Sequence, residues 1–250
     1  MTRSKPTSHP WTASVLTLFP DVFPGVLGCS VIGSALKDEK WALEAIDIRD
    51  FSYNKHRSVD ASPAGGGPGM VLTPQVSSKA IDSVMQKGVA RNMDGSADPR
   101  PLIYLTPRGR PLTQKRVREL ASGPGVIVFC GRFEGLDERV IEARDMEEVC
   151  IGDFVLAGGE AAAQMLIEAC VRLLPGVLGD DKSADEESFE DGLLEYPLYA
   201  KPREWEGRKI PEVLLSGDHK RIREWRRAEM EKITKERRPD LWEKHIKDRN

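Results

Sequence analysis

The 250-residue chain predicts an α/β protein with a mostly parallel sheet, followed by a small all-α domain. Three observations carry this reading. Short apolar runs alternate with segments of helical period through roughly the first 175 residues. One of those runs, Val126–Cys130 (VIVFC), is apolar throughout, as a strand covered on both faces of a parallel sheet must be. The last fifty residues have helical spacing and an excess of Arg and Lys.

In chain order, Val15–Phe19 reads as a buried strand, and Asp21 as the start of a helix reaching about Leu36. Ala42–Ile48 (ALEAIDI) alternates and stops at Arg49-Asp50, as a strand would. Phe51 to Met70 is polar and glycine-rich and reads as a loop. Val71–Lys87 carries Val76, Ala80 and Val84 at helical spacing behind Pro74, a good first-turn residue. Leu102–Leu105 reads as a strand ending in TPRGRP, and Thr113–Ala121 as a helix. After VIVFC come a short helix (Asp137–Arg144), a short strand (Glu148–Ile151) and a long helix (Glu160–Leu174) that follows Gly158-Gly159. Asp180–Asp191 (DDKSADEESFED) holds seven acidic residues, one lysine and no periodic apolar positions, and so reads as an exposed, mobile linker. Beyond it, Glu212–Leu215, Asp218–Ile233 (Asp218 as N-cap) and Arg238–Ile246 read as helices. The expected domains are a loose extension over 1–12, an α/β domain over 13–175, a flexible acidic linker over 176–195 and a basic helical domain over 196–250.

Composition excludes several classes of function. No run of about 18 apolar residues exists, so no membrane span is expected. Arg3 and Lys5 precede the apolar stretch ASVLTLF, but Pro20, Asp21 and Pro24 cut it short of a signal h-region, and a cytoplasmic protein is expected. Cys29, Cys130, Cys150 and Cys170 form no C-x-x-C and lie at no zinc-ligand spacing from the four histidines, so they read as reduced, core-filling thiols. The formal net charge of −3 hides an asymmetry: residues 201–250 hold 16 Lys+Arg against 11 Asp+Glu, leaving 21 against 29 for the first 200. A basic C-terminal module can contact phosphates, although a basic tail is often only a solvated surface.

The segment Ala64–Met70 (AGGGPGM) has four glycines in seven residues, yet it is neither a P-loop nor a dinucleotide-binding turn. A G-x-S-x-G elbow is absent too. More telling, three strand ends in succession meet glycine-bearing segments: Thr106–Arg110, Gly131–Gly135 and Gly152–Gly159. In open parallel sheets ligands bind at the carboxyl ends of strands, where loops offer backbone N–H and C=O groups. Two readings stand side by side, a backbone-lined cleft for an adenine and ribose, or glycines that only make tight turns.

The blocks RDFSYNKHRSVD, GGGPGM, CGRFEGLDERV, IGDFVLAGGE, RLLPGVLG, ESF-x-x-GLLEYP and VLLSGDH, in this order and spacing, resemble the bacterial TrmD family of tRNA (guanine-N1)-methyltransferases, within the SPOUT superfamily of knotted methyltransferases. The resemblance covers roughly residues 13–240. It implies a homodimer with S-adenosylmethionine in a trefoil knot, methylating N1 of guanosine 37 of tRNA beside the anticodon, with active sites at the subunit interface. By resemblance the cofactor residues are Tyr104, Leu105, Thr106 and Pro107; Gly131, Phe133, Glu134 and Gly135; and Ile151, Gly152, Asp153, Phe154, Val155, Leu156, Gly158 and Gly159. Asp60, Gly67, Pro68, Gly69 and Met70 would face the target guanine, where glycine lets backbone approach a flipped base. The resemblance also brings Mg²⁺ as an accompanying ion, with no metal-ligand cluster legible in the sequence to hold it.

The reaction needs a base for the N1 proton and a cation or N–H donor for charge developing on O6. By resemblance these are Glu187, where the family has aspartate, and Arg172, for O6 or a phosphate; Asp185 is a nearby rival for the base. Read without the resemblance, Glu187 is a solvated linker residue and Arg172 a helix C-terminal charge. Ala64 stands where the family often has tyrosine, Ser62 where it often has arginine, and LYAKP (198–202) where HYTRP is commoner. The alternatives are another knotted methyltransferase with a different RNA target, and an RNA-binding protein of this fold without turnover.

Overall fold

The computed structural model describes residues 10–91, 96–179, 187–189 and 191–248. It divides into two compact units, 1–179 and 180–250. The first contains β1 (Trp11–Thr17), α1 (Ser30–Lys37), β2 (Trp41–Asp47), β3 (Asp60–Ala61), β4 (Val71–Leu72), α2 (Pro74–Arg91), β5 (Leu102–Pro111), α3 (Gln114–Ser122), β6 (Gly125–Cys130), α4 (Glu138–Ala143), β7 (Glu147–Cys150) and α5 (Glu160–Val171). Five strands form one sheet in the order β2-β1-β6-β5-β7, and all of its pairings are parallel. The mostly parallel α/β architecture expected from the sequence is therefore present.

Strand β6 is central, and all six of its residues are buried. Its side chains divide between two cores in the period of a strand. Val126, Val128 and Cys130 join the layer of α1, α3 and α5, while Ile127 and Phe129 join the layer of α2 and α4. The chain leaves β5 through α3 on one face and leaves β6 through α4 on the other. A crevice therefore opens outside the carboxyl ends of β5, β6 and β7, where such sheets bind ligands.

Several elements differ from the sequence reading. β1 begins at Trp11, inside the stretch expected to be loose, because Trp11 is buried and donates from its indole to Leu120 O at 3.0 Å. The expected Asp21–Leu36 helix is instead two 3-10 turns, Pro20–Val22 and Gly25–Gly28, followed by α1. Two prolines and a glycine at φ +53° cannot sustain an α-helical ladder there. Val71 and Leu72 belong to β4, not to the helix behind them, since Asp60 and Ala61 pair with them. TPRGRP is not a turn after β5 but part of it. The strand shifts register against β7 between Leu105 and Arg110, with Gly109 pressed so close that a Cβ would lie 2.4 Å from Val149 N. α5 ends at Val171 rather than Leu174. Cys130, Cys150 and Cys170 are buried as expected, whereas Cys29 is exposed. Burial pushes the Cys170 thiol up to about 12.

The second unit contains a small hairpin, β8 (Glu204–Trp205) with β9 (Arg208–Lys209), then α6 (Glu212–Leu215), α7 (His219–Arg237) and α8 (Pro239–Lys247). Asp218 caps α7, accepting from Lys220 N and Arg221 N, as the sequence suggested. The hairpin was not legible, for two residues per strand give no period. Among the described residues no helix is long and apolar enough to cross a membrane. Most of Asp180–Asp191 lies outside the described residues.

Candidate active site

A pocket of about 260 Å³ opens at the carboxyl ends of β5, β6 and β7. Every residue named above for the cofactor lines it except Asp153, whose side chain is exposed. Arg132, Val149, Cys150, Ala157 and Ala162 line it as well. The three contributing segments are the bulged part of β5, the 131–135 loop and the 151–159 loop.

Backbone contact explains why this wall is glycine-rich. Gly159 N donates to Gly131 O at 2.9 Å, and Arg132 and Gly158 form an antiparallel bridge, so two of the loops close on each other through main chain. A Cβ at Gly159 would sit 2.8 Å from Cys130 Cα, and one at Gly131 2.9 Å from the Tyr104 ring. Tyr104 packs edge-on against Phe129, and its hydroxyl accepts from Leu136 N at 3.1 Å. Burial raises its pKa, which keeps the phenol protonated and able to donate into the pocket. Phe133 is held at φ +59° with its ring exposed at the pocket mouth. A left-handed backbone under a bulky side chain persists only where the surroundings impose it, which is common at ligand sites.

A charged network braces the same loops. Glu160, at the start of α5, is almost fully buried. Its carboxylate accepts from Thr17 Oγ1 at 2.7 Å and pairs with Arg132 Nη2 at 2.8 Å. Arg132 Nη1 donates to Ala157 O at 3.3 Å, and the guanidinium lies 4.4 Å from the Phe19 ring centroid. The buried carboxylate is thus neutralised, and the ends of β1 and β6 are tied to the 157–160 turn. The sequence reading passed over Arg132. Its one signal is a charged residue inside a glycine loop directly after an all-apolar strand.

The glycine-rich loop is sewn to the pocket rim. Strands β3 and β4 bracket it, with Asp60 opposite Leu72 at its base. Glu134 N donates to Met70 O (2.9 Å), Leu72 N to Gly135 O (2.9 Å) and Asp137 N to Leu72 O (3.2 Å). Gly65, Gly66, Gly67 and Gly69 all have φ between +81° and +122°, conformations that a side chain would strain. Gly69 also abuts the pocket, for a Cβ there would lie 2.2 Å from Glu134 Oε1. The structure thus brings Gly69 and Met70 to the cofactor candidates, with Asp60 at the loop's base.

Arg172 is not brought to this pocket within one chain. It caps the C-terminus of α5, a helix of 12 residues whose first turn forms the pocket wall, so about 18 Å of helix separates the two. Glu187 belongs to the second unit, and Asp185 lies outside the described residues. No group of three or more His, Cys, Asp or Glu able to hold a metal occurs among the described residues.

A crevice at the switch point of a parallel sheet, walled by backbone from the bulged β5 and two loops, defines an α/β protein built to hold a nucleotide-like ligand. Comparison with known proteins makes this specific. The family described as tRNA (guanine-1)-methyltransferase TrmD matches residues 12–244, and the chain belongs to that family. It is 58% identical over 237 residues to a Novosphingobium aromaticivorans protein named tRNA (guanine-N(1)-)-methyltransferase, covering 94% of this chain and 92% of that one. Proteins of the same name from Rhodopseudomonas palustris strain TIE-1 (60% over 232 residues; 93% and 90% covered) and Bradyrhizobium diazoefficiens (59% over 236; 94% and 90%) are similar to it along the same length.

Proposed function

We propose that this protein transfers a methyl group from S-adenosylmethionine to N1 of guanosine 37 in tRNA, acting in the cytoplasm as a homodimer with a trefoil-knotted cofactor site. The observation that carries the reading is the backbone-walled pocket joined by main-chain hydrogen bonds to the GGGPGM loop, in a chain of the TrmD family. The residues present suit the cofactor. Main-chain groups of the 131–135 and 151–159 loops can read an adenine edge, the Tyr104 hydroxyl offers a donor, and the Glu134 carboxylate, in the pocket lining, can accept from an ammonium or hydroxyl of the ligand. S-adenosylmethionine supplies a sulfonium methyl, whose transfer is an in-line displacement that needs positioning above all.

The chain's residues supply the rest. Glu187 takes the N1 proton of guanine, so that N1 bonds to the methyl carbon as the carbon–sulfur bond breaks and a neutral thioether leaves. Arg172 offsets the charge that gathers on O6. Gly67, Pro68, Gly69 and Met70 form the backbone surface against which the flipped base rests. No step is assigned to Mg²⁺. The distance from Arg172 to the pocket of its own chain favours a site shared between two copies. Phe19, Val22, Val26 and Met165 suit a subunit interface: they are 42–60% exposed apolar residues flanking the contact between α5 and the 20–28 segment. Residues 13–175 then form the catalytic domain and 196–250 a tRNA-binding domain.

The test is product identification. A digest of tRNA after reaction should contain 1-methylguanosine, and its absence would overturn the reading. Exposed Lys220, Arg221 and Arg223 on α7, with Lys232 and Lys235 further along, are the expected phosphate contacts. Affinity for tRNA should therefore fall steeply between low and moderate salt, by about tenfold or more for several contacts. A flat salt dependence would remove the basic helix from the tRNA interface.

A further inference from the structure

Residues 187–189 and 191–195, expected from sequence to end a mobile linker, are built into the helical unit. Leu193 is fully buried. Phe189 N donates to Leu193 O at 2.7 Å and Glu195 N to Ser188 Oγ at 3.0 Å, which closes a turn immediately after Glu187. Leu194 N then donates to Thr234 Oγ1 at 2.8 Å, while the Thr234 hydroxyl donates to Met230 O at 2.7 Å within α7. Thr234 is wholly buried. A mid-helix threonine commonly gives its proton to the carbonyl four residues back; here its oxygen also receives a main-chain N–H from outside the helix.

A second tie lies alongside. His245 Nδ1 is 3.1 Å from Asp191 O, and its Nε2 is 3.1 Å from Arg227 Nη2. Since the guanidinium only donates, Nε2 accepts and Nδ1 carries the proton given to Asp191 O. Arg227 also pairs with the Asp191 carboxylate at 3.4 Å and with Glu231 at 2.9 Å.

We propose that Thr234 is a positioning residue for the transfer reaction. It fixes the turn bearing Glu187 to α7, so the base travels with the helical unit rather than on a free tether. Docking of tRNA on the basic helix and delivery of the base then become one event. This rests on the reading of Glu187 as the base.

The experiment compares Thr234→Val, which keeps shape but removes the acceptor for Leu194 N, with Thr234→Ser, which keeps the hydroxyl. Steady-state methyl transfer should show kcat lowered about tenfold to a hundredfold in Thr234→Val, the scale of a 1 Å misplacement. KM for S-adenosylmethionine should stay near that of the wild type, and Thr234→Ser should recover most of the rate. In a Glu187→Gln background the valine change should cost almost nothing further, because there is no base left to misplace. Hydrogen exchange on the wild type supplies an independent reading, with the Leu194 amide protected like those of α7. The inference is overturned by wild-type kcat in Thr234→Val while Glu187→Gln is inactive. It is also overturned by a loss that serine does not repair, or by a Leu194 amide exchanging at the free-chain rate. Wild-type turnover in Glu187→Gln would instead remove the base reading, and this inference with it.

Discussion

Glu187→Gln is expected to lower single-turnover methyl transfer by about 10²- to 10⁴-fold, the range a positioned general base contributes. Glutamine keeps the size and hydrogen-bonding reach of the side chain but cannot accept the N1 proton at neutral pH. The guanine then attacks with its proton in place and its lone pair delocalised into the ring. Affinity for tRNA and for S-adenosylmethionine should change little, so the loss appears in the chemical step alone. A variant that keeps nearly full single-turnover activity would move the base elsewhere, to Asp185 first.

Gly159→Ala is expected to weaken S-adenosylmethionine binding by about two orders of magnitude, read by calorimetry. The added Cβ would lie 2.8 Å from Cys130 Cα and 3.1 Å from Gly131 N, both backbone atoms at the end of the central strand. Neither can rotate away, so the 157–160 turn must move and break the Gly159 N to Gly131 O bond. Two misaligned hydrogen bonds to the ligand, at about 1–1.5 kcal/mol each, amount to roughly a hundredfold. The contrast is Gly176→Ala, remote in sequence from the pocket loops, where the nearest atom to a Cβ is the end of a lysine side chain at 3.8 Å, although its φ of +72° adds local strain. It should leave binding near wild type. Equal loss in both variants would mean that general destabilisation, not the pocket wall, is being measured.

The parts of the fold legible in the sequence are those where local pattern and burial agree. Val126–Cys130 announces a central strand because both of its faces are covered, and Asp218 announces α7 because a carboxylate there accepts the first free N–H groups. Where a few long-range bonds decide structure, local reading fails. Val71 and Leu72 carry helical spacing into α2, yet pairing with Asp60 and Ala61 and the bond to Gly135 O make them a strand. TPRGRP has the composition of a turn, and only its second pairing with β7 keeps it in β5.

The site divides in the same way. Glycines at two of the three expected strand ends mark the pocket because close backbone approach requires them, whereas Gly109 of the third segment lies within β5 and packs on Val149. Val149, Cys150 and Ala162 also line it but look like any core residue. Arg132 and Glu160, 28 positions apart in sequence, could be joined only once α5 was seen to start beside the 131–135 loop. The turn after Glu187 was masked by its acidic neighbours, whose charge density reads as solvated chain even though Leu193 is buried.

The most direct test of the account is transfer of a labelled methyl group from S-adenosylmethionine to unmodified tRNA with guanosines at positions 36 and 37, beside the same tRNA with guanosine 37 replaced. The account predicts label on the first, recovered as 1-methylguanosine at position 37, and none on the second. Equal labelling of both, or none on either despite measurable binding of S-adenosylmethionine, would contradict it.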